Sequence, residues 1–280
     1  MKFYTNFYSR GDTVFIRGYD NGRRIVDRIE YNPTLFLPSR KSSKWQTIHG
    51  DPVEPIELGS IKEARDFISR YEDVDNFKVY GSTLYAYACL NDNYGKDFDP
   101  EIVKIANIDI EVGSEDGFPE PDLANQPVIS ITVSVRGKYF VFGVGDYNNT
   151  RNDVRYVDCG SERRLLDTFL EFWKKIDPDI VTGWNVGGFD IAYLHNRISK
   201  ILSPKDAKRL SPAGVIHERQ YRKHNKTITE YEPVGLEVLD YLELYKKFTY
   251  SQQESYRLDH IAFVELDERK LDYSEVENLH

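Results

Sequence analysis

Ile102-Val103-Lys104-Ile105-Ala106-Asn107-Ile108-Asp109-Ile110-Glu111-Val112 decides how the chain is read. A nearly continuous apolar run of this kind predicts a buried central strand over 102–112. Asp109 and Glu111 stand two positions apart, so on a strand both carboxylates leave the same face. Two carboxylates side by side repel each other and are costly to strip of water. One of them can sit at the strand end in water or pair with a lysine. The other solution is a divalent metal held by hard oxygen ligands, with Mg²⁺ or Mn²⁺ the natural choices.

Downstream of this strand the pattern is regular. Ile129, Ile131, Val133 and Val135 alternate, which predicts a half-buried antiparallel strand. Tyr139–Val144 continues the sheet after an Arg136-Gly137-Lys138 turn. Ser161 caps a predicted helix whose stripe is Leu165, Leu166, Phe169, Leu170, Trp173 and Ile176, and Pro178 stops it. Ile180–Thr182 reads as a short strand, and Phe189–Leu202 as a helix with Ile191, Leu194, Ile198 and Ile201 on one face. The order β-β-β-α-β-α suggests a ribonuclease-H-like sheet. Val215–Arg222 and Thr227–Glu232 then predict a hairpin around His224-Asn225-Lys226. It carries His217, Arg219, Arg222 and Lys223, and a solvated charged hairpin is its plain alternative. Leu236–Asp240 reads as a strand, and Tyr241–Phe248 and Ser255–Val264 as helices.

Upstream, residues 1–100 read as a small α+β unit. Thr13–Tyr19 and Arg24–Tyr31 flank Asp20-Asn21-Gly22, a good hairpin turn. Residues 32–60 are rich in Pro, Ser and Gly and are expected to be irregular. Ser60 and Glu63 form a capping box for a helix with Ile61, Ala64, Ile68 and Tyr71 on one face. Phe77–Tyr80 and Leu84–Leu90 read as strands. The polar segment Asn91–Pro100 is the expected domain boundary, giving domains 1–100 and 101–280.

Composition narrows the function classes. The 280 residues are 40% hydrophobic and 30% charged, as in soluble globular chains of about two domains. No apolar stretch approaches the ~20 residues of a membrane span, and the first residues lack a signal peptide's apolar core. Only two cysteines occur, which excludes a disulfide framework and makes an intracellular location the simplest expectation. A structural zinc has no ligand spacing to support it. The net charge of −9 argues against holding nucleic acid through overall positive charge, but leaves room for a local basic groove beside acidic metal ligands. Aromatic residues reach 14%, with 20 tyrosines, suited to strand cores or to stacking on unpaired bases.

Gly183-Trp184-Asn185-Val186-Gly187-Gly188-Phe189-Asp190 lies where a predicted strand ends and a helix begins, the usual place for a ligand in such sheets. Asp190 there can simply favour the helix dipole, and Asn185 can be a turn residue. A third carboxylate delivered to a paired-carboxylate strand is also what a two-metal phosphodiesterase needs.

Taken in order, Ile108-Asp109-Ile110-Glu111-Val112, Asp116-Gly117-Phe118-Pro119-Glu120-Pro121, Thr182-Gly183-Trp184-Asn185-Val186 with Phe189-Asp190, and Leu239-Asp240-Tyr241-Leu242-Glu243-Leu244-Tyr245-Lys246-Lys247-Phe248 resemble the family B DNA polymerases of T-even-type bacteriophages. The resemblance covers essentially the whole chain. It implies a small N-terminal α+β domain followed by a ribonuclease-H-like 3′→5′ exonuclease domain with an inserted β-hairpin. Palm, fingers and thumb would lie beyond residue 280. Asp109, Glu111 and Asp190 would be the catalytic metal ligands of a two-metal Mg²⁺ or Mn²⁺ site. Asn185 would orient the substrate strand, Phe118 would pack on a base at the 3′ end, and Lys270 would lie near the scissile phosphate. The hairpin bearing Arg219, Arg222 and Lys223 would help part primer from template. The family's third motif, Tyr-Asn-x-x-x-Asp, is absent, so one metal ligand is missing. The chain is then expected to be a truncated piece or one part of a split polymerase, impaired as a nuclease by itself. Its partners would be single-stranded DNA 3′ ends, primer–template DNA and the remainder of the polymerase, in the cytoplasm of a host bacterium and away from membranes. The alternative is a non-catalytic module that binds single-stranded DNA, or RNA through residues 1–100. A stand-alone exonuclease of the same superfamily is a third reading.

Overall fold

The computed structural model describes residues 1–270 apart from Asn76, Asp116, His224 and Asn225. The side chains of Lys223, Lys226 and Thr227 also lie outside the described residues. The chain divides into two compact units, Met1–Ile102 and Val103–His280.

In the first unit, β1 (Lys2–Arg10), β2 (Thr13–Asp20) and β3 (Arg23–Glu30) form an antiparallel meander. The β2–β3 turn is the one expected, with Asn21 at φ 47° and Gly22 at φ 78°. This left-handed pair matches the twist of a tight hairpin. Residues 32–60, expected to be irregular, instead form a second sheet of β4 (Thr34–Pro38), β5 (Trp45–Gln46) and β6 (Pro52–Glu57), in the order β4-β6-β5. Proline is tolerated in β6 because β5 pairs only with Val53 and Pro52. Beyond them β6 is an edge, and Pro55 there needs no donor on the open side. Helix α1 (Ile61–Tyr71) begins as the capping box requires, Glu63 N–H donating to Ser60 Oγ at 3.1 Å, and buries Ile61 and Ala64. Leu84–Leu90, expected as a strand, lies mostly in helix α2 (Tyr85–Asn93), which buries Tyr85, Cys89 and Leu90 at helical spacing. Of the other expected strand, only Tyr80 makes a bridge, to Phe36.

The second unit starts with β7 (Ile105–Val112), β8 (Val128–Val135), β9 (Lys138–Gly143) and β10 (Val154–Asp158). Helix α3 (Glu162–Ile176), β11 (Ile180–Gly183), α4 (Asp190–Ile201) and the single turn α5 (Pro204–Ala207) follow. The hairpin β12 (Ile216–Lys223) and β13 (Lys226–Pro233) leads to β14 (Glu237–Asp240), α6 (Tyr241–Phe248) and α7 (Leu258–Leu266). One mixed sheet, in the order β10-β9-β8-β7-β11-β14, organises the unit. Strands β7, β8 and β9 are antiparallel, while β11 runs parallel to both β7 and β14. This is the ribonuclease-H-like arrangement that the element order suggested.

Strand β7 corrects one expectation. It is not buried on both faces. Ala106, Ile108 and Ile110 point into the core, whereas Asn107, Asp109 and Glu111 lie on the opposite, open face. The core side is filled by Leu165, Leu166, Phe169, Leu170 and Trp173 of α3 and by Ile191, Leu194 and Ile198 of α4. Each such side chain contributes about 1.5–3 kcal/mol on burial. The core thus fixes the alternation of β7, and the alternation delivers both carboxylates to one side. Among the described residues no helix is long and apolar enough to cross a membrane.

Candidate active site

The parallel pairing of β11 with β7 ends at Thr182 and Asn107. At Gly183 the backbones still lie so close that a Cβ there would be 2.6 Å from the carbonyl oxygen of Ile108, but β11 no longer pairs with β7. The backbone of β7 is therefore left to find another partner. Asp190 supplies it: Ile110 N–H donates to Asp190 Oδ1 at 3.0 Å. Asp190 opens α4, where a helix favours negative charge, and is only 4% exposed. Burial holds its carboxyl well above the ordinary carboxylate range, and the charge of Asp109 adds to this. Asp109 is raised too, by burial first and then by Glu111, while the ammonium of Lys270 pulls the other way.

Asp109 is thus the centre of the arrangement, with Glu111 beside it on β7, Asp190 behind it and Lys270 in electrostatic range. Glu111 and Lys270 also line a cavity of about 700 Å³ along the open sheet face, with Tyr139, Tyr147 and Tyr156. Among the described residues, no three His, Cys, Asp or Glu side chains lie close enough together to hold a metal ion. The donors are hard oxygens of the kind Mg²⁺ and Mn²⁺ take, and their mutual repulsion is what a cation would relieve.

Asn185 sits exposed in the loop between β11 and α4, at φ 62°. Its backbone N–H donates to Asp240 Oδ1 at 3.0 Å. Phe118 is 82% exposed and lies 6.0 Å from the ring of Phe189, the residue before Asp190. The hairpin carries Arg219 and Arg222 exposed on β12, and the side chain of Lys223 lies outside the described residues. Its charge is mixed: Arg219 stands opposite Glu230 in the strand register. Glu230, Glu232, Asp240 and Glu243 all border one groove beside Asn185. The structure therefore sets Glu111, Asp190 and Lys270 each within electrostatic range of Asp109 and sets Phe118 next to the start of α4. The hairpin arginines make no contact with the carboxylates among the described residues.

Residues 70–261 match the exonuclease domain of DNA polymerase family B. The chain belongs to this family. Its motif-based resemblance to the family's phage members is borne out as well. The DNA-directed DNA polymerase of Escherichia phage RB69 is 34% identical over 97% of this chain and 34% of its own length. That of Enterobacteria phage T4 is 31% identical over 97% of this chain and 33% of its own length. The DNA polymerase delta catalytic subunit of Plasmodium falciparum is 29% identical over 61% of this chain. The chain spans about a third of the length of the two phage relatives.

Two supports of this arrangement escaped sequence reasoning. Asp240, within Leu239-Asp240-Tyr241, is one of them. Its signal was available, since it is an Asp at a strand-to-helix junction, as Asp190 is at a loop-to-helix one. Tyr193 read only as a helix residue. In the structure its buried hydroxyl donates to the carbonyl of Gln126 at 2.7 Å and accepts the Gln126 N–H at 3.1 Å. The Gln126 side chain in turn donates to the carbonyl of Gly117, next to Phe118, at 2.9 Å.

Proposed function

We propose that the chain is the N-terminal and proofreading portion of a phage DNA-directed DNA polymerase, hydrolysing phosphodiester bonds from the 3′ end of single-stranded DNA with Mg²⁺ or Mn²⁺. The observation that carries this reading is geometric: Asp109 and Glu111 share the open face of β7, and Asp190, from the start of α4, is tied to the same strand by Ile110 N–H at 3.0 Å. Asp109 and Glu111 would hold the metal, and Asp190 would support it. When bound, the metal supplies the positive charge that activates water and steadies the leaving oxygen. Asn185 orients the strand, Phe118 packs on a terminal base, and Lys270 faces the scissile phosphate. The hairpin with Arg219, Arg222 and Lys223 helps part primer from template. A mispaired end melts more readily, so the need for unpaired strand is itself selective.

Residues 1–100 are then the polymerase's N-terminal domain, with RNA a further ligand for it, and residues 101–280 its exonuclease domain. The remainder of the polymerase is the natural partner, in the cytoplasm of an infected bacterium. The 280 residues contain no Tyr-Asn-x-x-x-Asp. Lacking that carboxylate and tyrosine, the isolated chain should be slower by ~10²–10⁴. The same loss favours a second reading, a module that binds single-stranded DNA, or RNA through residues 1–100, without cutting it.

Mn²⁺ titration of the wild type and Asp109→Ala, followed by degradation of a 3′-labelled single strand, separates the two. The nuclease reading expects Mn²⁺ binding that Asp109→Ala abolishes while DNA binding persists, and slow metal-dependent cutting that a polymerase segment containing the third motif accelerates. If the wild type binds Mn²⁺ no better than Asp109→Ala and never cuts, the binding module stands.

A further inference from the structure

Asp240 does more than its position at the start of α6 requires. An N-cap needs one side-chain oxygen for one helix N–H, and Asp240 meets that need by accepting from Leu242 N–H at 2.9 Å. The same carboxylate also accepts the N–H of Asn185 at 3.0 Å and, through its other oxygen, the N–H of Gly187 at 3.1 Å. Both extra donors belong to the loop between β11 and α4, more than fifty residues away in the chain. Strand register brings them together: β11 and β14 run parallel, and Gly183 stands opposite Asp240 at the end of both. The loop therefore leaves the sheet directly over this carboxylate.

What the loop carries gives the contact its meaning. Asn185 holds a left-handed backbone, which a non-glycine residue keeps only where its surroundings enforce it. Its carbonyl accepts Phe189 N–H at 2.9 Å, and the carbonyl of Val186 accepts Ile191 N–H at 2.9 Å, so the same short turn launches α4. Fixing the N–H groups of Asn185 and Gly187 fixes both the direction of the Asn185 side chain and the first residue of the helix, Asp190. We infer that Asp240 is a positioning residue of the exonuclease site, setting Asn185 and Asp190 through the backbone of the loop between them. The inference deepens the nuclease reading and rests on it only for what Asn185 and Asp190 do.

Serine caps a helix as well as aspartate, but its single short oxygen cannot also reach Asn185 and Gly187. Asp240→Ser and the isosteric Asp240→Asn are compared with the wild type by amide hydrogen exchange and Mn²⁺ titration. The expected result is exchange about tenfold faster or more at Asn185 and Gly187 in Asp240→Ser, the scale set by a lost hydrogen bond to a charged acceptor. Amides late in α6 should stay unchanged, and Asp240→Asn should fall between. Mn²⁺ affinity should weaken about tenfold in Asp240→Ser, in the range for lost support behind a metal ligand. Exchange at Asn185 and Gly187 within twofold of the wild type in both variants would leave Asp240 a plain helix cap and overturn the inference. If Asp109→Ala leaves Mn²⁺ binding intact, the nuclease reading fails instead, and the exchange measurement still decides whether Asp240 holds the loop.

Discussion

Asp190 is asked to do two things that conflict. One oxygen replaces a missing sheet partner for Ile110, which favours the charged form, while burial and Asp109 oppose that charge, and the opposition prevails. A carboxyl raised in the folded chain binds its proton more tightly there than when unfolded. Stability therefore falls as pH climbs from the ordinary carboxylate range through the raised folded value. Asp109 contributes with the same sign. Without divalent metal, urea unfolding should show stability declining above the usual carboxylate range. Asp190→Asn, which can still accept from Ile110, should flatten that decline and be the more stable form near neutrality. An unchanged pH slope in Asp190→Asn would count against the coupling. The paired spacing of Asp109 and Glu111 was readable because a strand repeats every two residues. The partnership of Asp190 with Ile110, like that of Asp240 with Asn185, was not, since each depends on where a distant strand stops pairing.

One face of α4 acts as a spine for the loop that presents Phe118. Tyr193, Asn196, Arg197 and Lys200 follow each other at helical spacing. They bond in turn to Gln126, to the carbonyl of Pro121, to the carbonyls of Ala124 and Asn125, and to that of Leu123. Arg197 is itself held by both oxygens of Glu162 at the start of α3, at 2.7 and 2.8 Å. Tyr193→Phe removes only an oxygen, yet it strands the buried N–H and carbonyl of Gln126. It should cost about 1–3 kcal/mol in denaturant unfolding and quicken amide exchange around Gly117. A loss well below that range would mean that water replaces the hydroxyl. Long apolar stripes made α3 and α4 legible beforehand. Short segments were not. Tyr85 and Tyr87 alternate as a strand would, but Tyr85, Cys89 and Leu90 are the buried set, and nine residues are too few for either period to dominate. Pro33, Pro38, Pro52 and Pro55 made residues 32–60 look like loop, because nothing local reveals that β6 is an edge along most of its length.

At the scale of the whole chain, two hydrophobic cores share no residue. One gathers Val14, Ile16, Leu35, Ile61 and Tyr85, and the other surrounds Phe169 and the central strands. Separate cores predict separate unfolding, because the loss of a core side chain is felt by the atoms that packed against it. Phe169 is fully buried, in contact range of both Phe142 and Trp173. Phe169→Ala should lower the stability of the unit containing the carboxylates by about 3–5 kcal/mol. Hydrogen exchange followed by mass spectrometry should show its helices and sheet opening more often, while protection in β1 to β3 and α1 stays at the wild-type level. Ile16→Ala should do the converse, at about 2–5 kcal/mol. The tryptophans give an independent readout, since Trp45 belongs to the first unit while Trp173 and Trp184 belong to the second. In a Trp45→Phe background, fluorescence should follow only the transition that Phe169→Ala shifts. Loss of protection in both units from either single substitution would show that they unfold as one, and the site's stability could then no longer be assigned to its own core.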